Sequence, residues 1–218
     1  MSKRILIIGA SRGIGLGLAK VFATNKWEVH VTVRDKTGED NIARLAGNLF
    51  THQLDVRNQK QIARLAMQLK ECPLDILLHN AAVYGKGLSK TEVLRINTIA
   101  PITIAQKLVH LVASSGEKKI ALITSQMGAR NGGSTPADTY GESKCRLNDS
   151  FKKEEPAWRA LGTTSVVLHP GWVATDMGGP SAPVSVRQSA SGIYTVLRNL
   201  RPAQSGSFLT WEGKKHPW

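Results

Sequence analysis

The chain has 218 residues, of which 41% are hydrophobic, and this suits one α/β domain, since such domains often reach about 200–250 residues undivided. Because the chain has only two cysteines and its apolar run after the N-terminus is short, we expect neither a disulfide scaffold nor a signal peptide nor a membrane span. We therefore expect a cytoplasmic protein without a membrane partner, formed by residues 1–218 as a single domain.

The charge balance is strongly basic, because 29 Lys and Arg residues stand against 16 Asp and Glu, a net charge of +13. Such a balance attracts anions. However, the basic residues are spread along the chain, and no block of about five like charges marks a nucleic-acid-binding arm. We interpret the charge as a solvated surface and predict no specific nucleic-acid partner; the alternative is a polyanion-binding protein.

Apolar runs of strand length alternate with helical stretches in the first half of the chain. We predict strands at Arg4–Ile8, Glu28–Val33, Leu49–Leu54 and Asp75–His79. Between them the pattern predicts a helix ending near Asn25, a short helix near Asn41–Ala46 and a helix capped by Asn58. A long helix follows, from about Thr91 to Ser115, and Pro101 inside it predicts a kink or a division in two.

The second half repeats this alternation. We predict strands at Lys119–Thr124, Thr164–His169 and Gly206–Leu209, helices at Thr139–Leu161 and Ser185–Asn199, and loops at Gly128–Pro136 and Pro170–Pro183. Repeated strand–helix units predict an α/β fold with a doubly wound parallel sheet and helices on both faces. Ligands of such sheets bind beyond the carboxyl ends of the strands.

A glycine-rich turn follows the first predicted strand. Gly9, Gly13 and Gly15 allow a tight turn before an amphipathic helix, where free backbone N–H groups attract a pyrophosphate. The alternative is a plain strand–helix turn. Two arginines refine the prediction: Arg12 lies inside the turn and Arg34 follows the second strand, where a cation suits a 2′-phosphate. The turn therefore predicts NADP(H) over NAD(H).

Two acidic residues bear on the same cofactor. Asp35 follows Arg34 directly and complicates the choice between NADP and NAD. Asp55, after the third strand, is placed to accept from an adenine amino group, or else to serve as a helix cap or turn residue. Both readings of Asp55 stay open at this point.

Tyr140 and Lys144 lie four residues apart on a predicted helix, so they share one face. An isolated tyrosine has a pKa near 10, and a neighbouring cation favours the phenolate, so we expect Lys144 to bring Tyr140 toward the working range of a general acid and base. Alone, this spacing is typical of a surface pair. Ser125, however, ends the preceding strand and can bond a substrate oxygen at the same edge of the sheet; its alternative is a turn or cap role.

Two asparagines complete the candidate site. Asn80 ends the fourth strand. Asn97 lies within the long predicted helix, where Asn is a mediocre helix former, so its amide either bonds a backbone carbonyl or a water leading to Lys144, or is simply exposed. The six histidines show no metal-ligand spacing, so we predict no metal site, and His30, His79 and His169 as packed residues.

Together these motifs resemble the classical short-chain dehydrogenase/reductase family, in its order and over nearly the whole chain. The tail, through Gly213 to Pro217-Trp218, is similar to the C-factor/sniffer branch, whose members are similar to carbonyl reductases and some of which are linked to cell signalling. His79 and Ala82 depart from the pattern, since the family often has Asn and Gly there. The resemblance implies a seven-stranded Rossmann sheet and a homodimer or homotetramer.

The resemblance also implies an activity: hydride transfer between NADP(H) and a small-molecule carbonyl or alcohol. The alternative is a dinucleotide-binding signalling protein with incidental catalysis. It implies a catalytic set of Asn97, Ser125, Tyr140 and Lys144. The cofactor would be bound by Tyr140 and Lys144 together with Gly9, Ser11, Arg12, Gly13, Ile14, Gly15, Arg34, Asp55, Val56, Asn80, Ala81, Ala82, Pro170, Gly171, Val173 and Thr175.

Overall fold

Seven parallel strands form one sheet in a computed structural model that describes residues 2–130 and 138–218. The strands are β1 Arg4–Ile8, β2 Glu28–Val33, β3 Asn48–Gln53, β4 Ile76–His79, β5 Lys119–Ile123, β6 Thr164–His169 and β7 Ser207–Thr210. Their order across the sheet is β3-β2-β1-β4-β5-β6-β7. The order reverses between β1 and β4, which opens a crevice at their carboxyl ends. The predicted doubly wound fold is confirmed.

Helices cover both faces of this sheet. They are α1 Gly13–Thr24, α2 Lys36–Ala43, α3 Gln59–Gln68, α4 Lys90–Leu94, α5 Ala100–Ala113, α6 Thr139–Ala160 and α7 Val186–Asn199. Strand side chains alternate between two apolar clusters: Leu6 and Leu77 pack with residues of α3, α5 and α6, whereas Ile5 and Ile76 pack with residues of α1 and α7. Burying each such side chain stabilises the fold by roughly 1.5–3 kcal/mol. Burial on both faces explains the nearly unbroken apolar runs of β1 and β4.

The helix after β2 begins earlier than the predicted 41–46 range. The Asp35 carboxylate accepts from the Gly38 backbone N–H at 2.9 Å and caps α2, with Glu39 in the first turn. An acidic cap and an acidic first turn both stabilise a helix N-terminus. The predicted start of this helix was wrong because Asp35 acts as its N-cap, a role that the sequence analysis did not assign to it.

The long helix predicted near residues 91–115 is interrupted rather than merely bent. A π-helical segment, Arg95–Ile99, separates α4 from α5, and Pro101 lies in the first turn of α5. Because Pro101 has no N–H, it cannot donate to the carbonyl of Asn97, four residues earlier, so the regular α-helical bonding is broken there.

The stretch from Lys90 to Ala113 is long and apolar enough to span a membrane by length and composition alone, but 61% of its most apolar window is buried inside the protein. This is the behaviour of a core helix. The glycine-rich loop predicted at 128–136 falls largely outside the described residues, which resume at Asp138, the N-cap of α6.

Candidate active site

The glycine turn after β1 is packed tightly against the end of β4. A Cβ at Gly9, whose φ is +85°, would lie 2.7 Å from the Cα of Ala81, and one at Gly15 would lie 2.1 Å from the Gly9 carbonyl oxygen. The Asn80 side-chain amide donates to that same carbonyl at 2.7 Å. Asn80 and Ala81 thus fix the turn at the crevice, and a larger residue at either glycine is excluded on steric grounds.

The N-terminus of α1 has no side-chain cap. Arg12 occupies the N-cap position without capping, and the first turn contains no acidic residue, so no carboxylate of this turn neutralises the N–H groups. The Arg12 guanidinium instead forms an ion pair with Asp176, beyond β6. A Cβ at Gly13 would lie 3.4 Å from the Thr175 methyl group. The turn and the loop after β6 therefore face each other across the crevice.

The acidic and basic residues after β2 and β3 have distinct partners. Arg34 is exposed directly after β2, while the neighbouring Asp35 carboxylate is engaged in capping α2. Asp55 forms a forked ion pair with Arg57, with Oδ2 to Nη2 at 2.6 Å, and Asn58 rather than Asp55 caps α3. The Arg57 hydrogen bonds hold the Asp55 pKa below its usual value. Asp55 is therefore a carboxylate, and it also accepts from the Arg57 backbone N–H at 2.9 Å, as a turn residue does.

Several other residues of the predicted cofactor set have mainly structural contacts. The Ser11 carbonyl accepts from the Asn41 amide at 3.1 Å, and the Pro170 carbonyl accepts from the Ser189 hydroxyl at 2.7 Å. The Thr175 hydroxyl accepts from the Gly178 N–H at 3.1 Å. Val56 and Val173 are buried, Ile14 packs against the apolar cluster that includes α1, Ala82 is half-buried, and Gly171 has a φ of +88°.

Three predicted catalytic side chains converge at the carboxyl end of β5. Ser125 follows this strand and is buried, and its hydroxyl accepts from the Met127 N–H at 3.1 Å. Tyr140 and Lys144, both on α6, point back toward the strand: the Lys144 Nζ donates to the Ile123 carbonyl at 2.9 Å and lies 5.8 Å from the centre of the Tyr140 ring. Helical spacing and the end of one strand together produce this cluster.

The protonation of the Tyr140–Lys144 pair differs from the expected one. Burial raises the pKa of Tyr140 to about 12, although the neighbouring Ser125 hydroxyl acts in the opposite direction. Burial lowers the pKa of Lys144 to about 7. Burial dominates the protonation of both groups here, because desolvation penalises both charged forms, and the Lys144 amine is bonded to the Ile123 carbonyl. The phenol is held neutral, the form that can donate a proton.

Asn97 is fully buried in the π-helical segment, so the alternative of an exposed helix residue is wrong. Its Oδ1 accepts from the Val83 N–H at 2.9 Å, and its Nδ2 donates to the Val83 carbonyl at 2.7 Å and to the Ser143 hydroxyl at 3.0 Å. The amide thus fastens the segment after β4 to α6, immediately beside Lys144. It bonds a backbone carbonyl, one of the two interactions expected for it.

Sequence reasoning missed Tyr84. Its ring stacks on that of Tyr140, with centroids 5.1 Å apart and planes at 25°, and its hydroxyl donates to the Asp138 carboxylate at 2.9 Å. The available signal was an aromatic residue in the segment after β4, which ends at the same edge as β5. In the loop after β6, Trp172 is 53% exposed, and its indole N–H donates to the Gly178 carbonyl at 2.8 Å.

Comparison with known proteins identifies the family. A family model described as short chain dehydrogenase matches residues 3–183, most of the chain. The chain belongs to the short-chain dehydrogenase family. The C-signal protein of Myxococcus xanthus is 32% identical over 67% of this chain and 93% of its own length.

Solved structures of this family match the fold closely. The carbonyl reductase Sniffer of D. melanogaster has a TM-score of 0.85 and 28% identity over 100% of both chains. A carbonyl reductase of Pseudomonas aeruginosa PAO1 in complex with NADP has a TM-score of 0.86 and 31% identity, again over 100% of both chains. The relatives thus include both names suggested by the tail, and the chain is an oxidoreductase of the short-chain dehydrogenase type.

Proposed function

We propose that this short-chain dehydrogenase is an NADP(H)-dependent carbonyl reductase, or alcohol dehydrogenase in the reverse direction, with Tyr140 as general acid and base. The observation that carries the proposal is the convergence of Ser125, Tyr140 and Lys144 at the end of β5, one strand away from the segment that packs on the glycine turn. The NADP-bound carbonyl reductase from P. aeruginosa supports the choice of reaction and cofactor.

The residues at the glycine turn are suited to hold the phosphate groups of a dinucleotide. The uncapped N-terminus of α1 supplies free N–H groups, and the glycines leave room for a close approach by a pyrophosphate. Because Asp35 is engaged in capping α2, the exposed Arg34 is the side chain available to a 2′-phosphate after β2. Arg12, currently paired with Asp176, is a second cation at the same turn. When bound, the nicotinamide supplies the hydride.

Within this proposal the protein controls one proton and one oxygen. The neutral Tyr140 hydroxyl donates a proton to the substrate oxygen during reduction and accepts it during oxidation. The Ser125 hydroxyl holds that oxygen beside Tyr140. Lys144, as an ammonium, stabilises the phenolate that remains after proton donation. Asn97 keeps the segment after β4 in register with α6, so that Tyr84 covers the ring of Tyr140.

The substitution Tyr140→Phe tests the proposal most directly. It removes the donor without changing the ring, so turnover of NADPH with carbonyl substrates should fall about 10²–10⁴-fold while NADPH binding is retained. Tyr194→Phe is the matched control, because Tyr194 lies on α7 and packs against Phe22 on the opposite face of the sheet. Unchanged turnover in Tyr140→Phe would exclude Tyr140 as the acid.

Arg34→Ser tests the cofactor choice. Loss of a charge-assisted hydrogen bond should weaken NADPH binding about 10–100-fold in a fluorescence titration and leave NADH binding nearly unchanged. Arg44→Ser removes another exposed arginine, at the end of α2, and is the control. Equal weakening of NADPH and NADH would mean that Arg34 does not recognise the 2′-phosphate.

A further inference from the structure

The imidazole of His79 is the exception among the buried polar side chains. Within residues 2–130 and 138–218, its Nε2 is the one buried side-chain nitrogen or oxygen that lacks a hydrogen-bond partner. His79 is only 2% exposed. Leaving such an atom unpaired costs about 1–3 kcal/mol, so natural proteins rarely retain one without a use. His79 also stands where the family pattern often has Asn.

The register of the sheet places His79 beside the end of β5, to which Lys144 is bonded. It is the last residue of β4, in register with Leu122 of β5, and the Lys144 amine bonds the carbonyl of the next residue, Ile123. Alternation along β4 places the His79 side chain on the same face as Leu77, which packs in the cluster that includes residues of α6. The imidazole therefore lies on the side of the sheet that carries the catalytic lysine.

Among the described residues, the neighbours of His79 in the sheet carry no charge. Ile8 of β1 and Leu122 of β5 flank it in the sheet and are apolar. The ionisable residues of α5 on this side of the sheet, Lys107 and His110, are exposed. Among the described residues, Lys144 of α6 is the charged group that, after burial, lowers the pKa of the ring.

The His79 ring is neutral, because burial and then Lys144 lower its pKa to about 3. A neutral imidazole has one N–H and one acceptor nitrogen, and a ring with its proton on Nδ1 presents the unpartnered Nε2 as the acceptor. An ammonium has three donors, and the Ile123 carbonyl is the acceptor that the described part of the chain gives to Lys144. Within the described residues, Nε2 of His79 and the remaining N–H donors of Lys144 therefore lack hydrogen-bond partners, and both groups lie on the same side of the sheet.

We propose that His79 is a positioning residue for Lys144: its Nε2 accepts a hydrogen bond from one water that the Lys144 ammonium in turn donates to, and this bridge keeps the amine charged and oriented toward Tyr140. The inference rests on the proposed function, in which Lys144 acts as a cation. His79 itself transfers no proton. Its effect is therefore expected in the pH dependence of turnover rather than in binding.

The test is the pH profile of carbonyl reduction in His79→Leu and His79→Asn. The leucine removes the acceptor, so the alkaline decline of kcat should move to lower pH by about one unit, since a hydrogen bond to a charged group has roughly that worth. The asparagine retains an acceptor oxygen and should restore the profile toward wild type. A folded leucine variant with an unmoved profile, or an equal shift in both variants, would overturn the proposal.

A measurement on the unaltered histidine covers the case in which His79→Leu does not fold. Nitrogen-15 NMR of the wild-type protein reports the tautomer, and the expected result is a neutral ring with the proton on Nδ1, whose Nε2 signal shifts in Lys144→Met. A proton on Nε2 would overturn the proposal. Tyr140→Phe distinguishes a failure of the proposed function from a failure of the role of His79. If Tyr140→Phe stays active, the proposed function is wrong. If Tyr140→Phe is inactive while the pH profile of His79→Leu is unmoved, only the role of His79 is wrong.

Discussion

Two buried lysines at opposite ends of β5 show how a fold makes one amine structural and the other reactive. At the start of the strand, the Lys119 amine bonds the Glu117 carboxylate at 2.6 Å and the Leu197 carbonyl at 2.8 Å. At the other end, the Lys144 amine bonds the Ile123 carbonyl at 2.9 Å and no salt bridge joins it to a carboxylate of the described residues. Burial is nearly equal, at 5% and 1% exposure.

The difference lies in compensation rather than burial. Although desolvation works against it, Lys119 and Lys3 hold the Glu117 pKa at about 2, so a charged pair is stable at the start of the strand. Desolvation alone lowers the Lys144 pKa to about 7, which leaves an amine whose charge responds to its surroundings. A buried cation without a carboxylate costs stability, and such costs concentrate at functional sites.

The largest expected effect comes from exchanging the reactive lysine. Lys144→Met should lower turnover about 10²–10⁴-fold, because the phenolate of Tyr140 loses its stabilising cation. The same variant should be at least as stable as wild type at neutral pH, since it removes an uncompensated buried charge. Steady-state kinetics and urea unfolding measure the two effects, and a strongly destabilised variant would contradict the comparison.

A drop in pH tests two further buried bases, His79 and His169, for which the described residues supply no acidic partner. Burial lowers the pKa of His79 to about 3 and of His169 to about 4, against 6.5 for an ordinary histidine. The unfolded chain therefore binds more protons below pH 6.5, and the free energy of unfolding should fall by about 2 kcal/mol for each of these histidines between pH 7.5 and 5.

Urea unfolding at the two pH values measures this slope. His169→Gln should remove about 2 kcal/mol of the decline, because glutamine does not titrate, whereas His110→Gln, at an exposed position on α5, should leave it unchanged. Parallel slopes in wild type and His169→Gln would show that His169 is not buried in neutral form.

The smaller effect is expected at the compensated lysine. Lys119→Met leaves the Leu197 carbonyl without its Lys119 donor, and Lys3 and Arg198 remain as the partners that the described residues give to the Glu117 carboxylate, so the free energy of unfolding should fall by about 1–3 kcal/mol. Turnover per folded molecule should stay at the wild-type level, because this end of β5 is remote from Tyr140. A loss of turnover comparable to that of Lys144→Met would remove the distinction between the two ends.

Particular residues show how far local patterns reach. The glycine turn, the spacing of Tyr140 and Lys144 and the position of Ser125 after a strand are local signals, and each led to the correct edge of the sheet. The start of α2 was predicted incorrectly, because an aspartate such as Asp35 can serve either in cofactor recognition or as a helix cap. Tyr84 was missed because its contacts with Tyr140 and Asp138 join segments that lie more than fifty residues apart in the sequence. No local pattern indicates such a contact.

The sequence by itself determined the alternation of strands and helices, the crevice at their carboxyl ends and the candidate proton donor, because periodicity, glycine turns and helical spacing are properties of short segments. Only the tertiary structure decided the protonation of that site. Whether Lys144 meets a carboxylate, whether Tyr140 is desolvated and whether His79 finds a partner depend on which side chains from distant segments share one dry interior, since the energy of a charge is set by its surroundings.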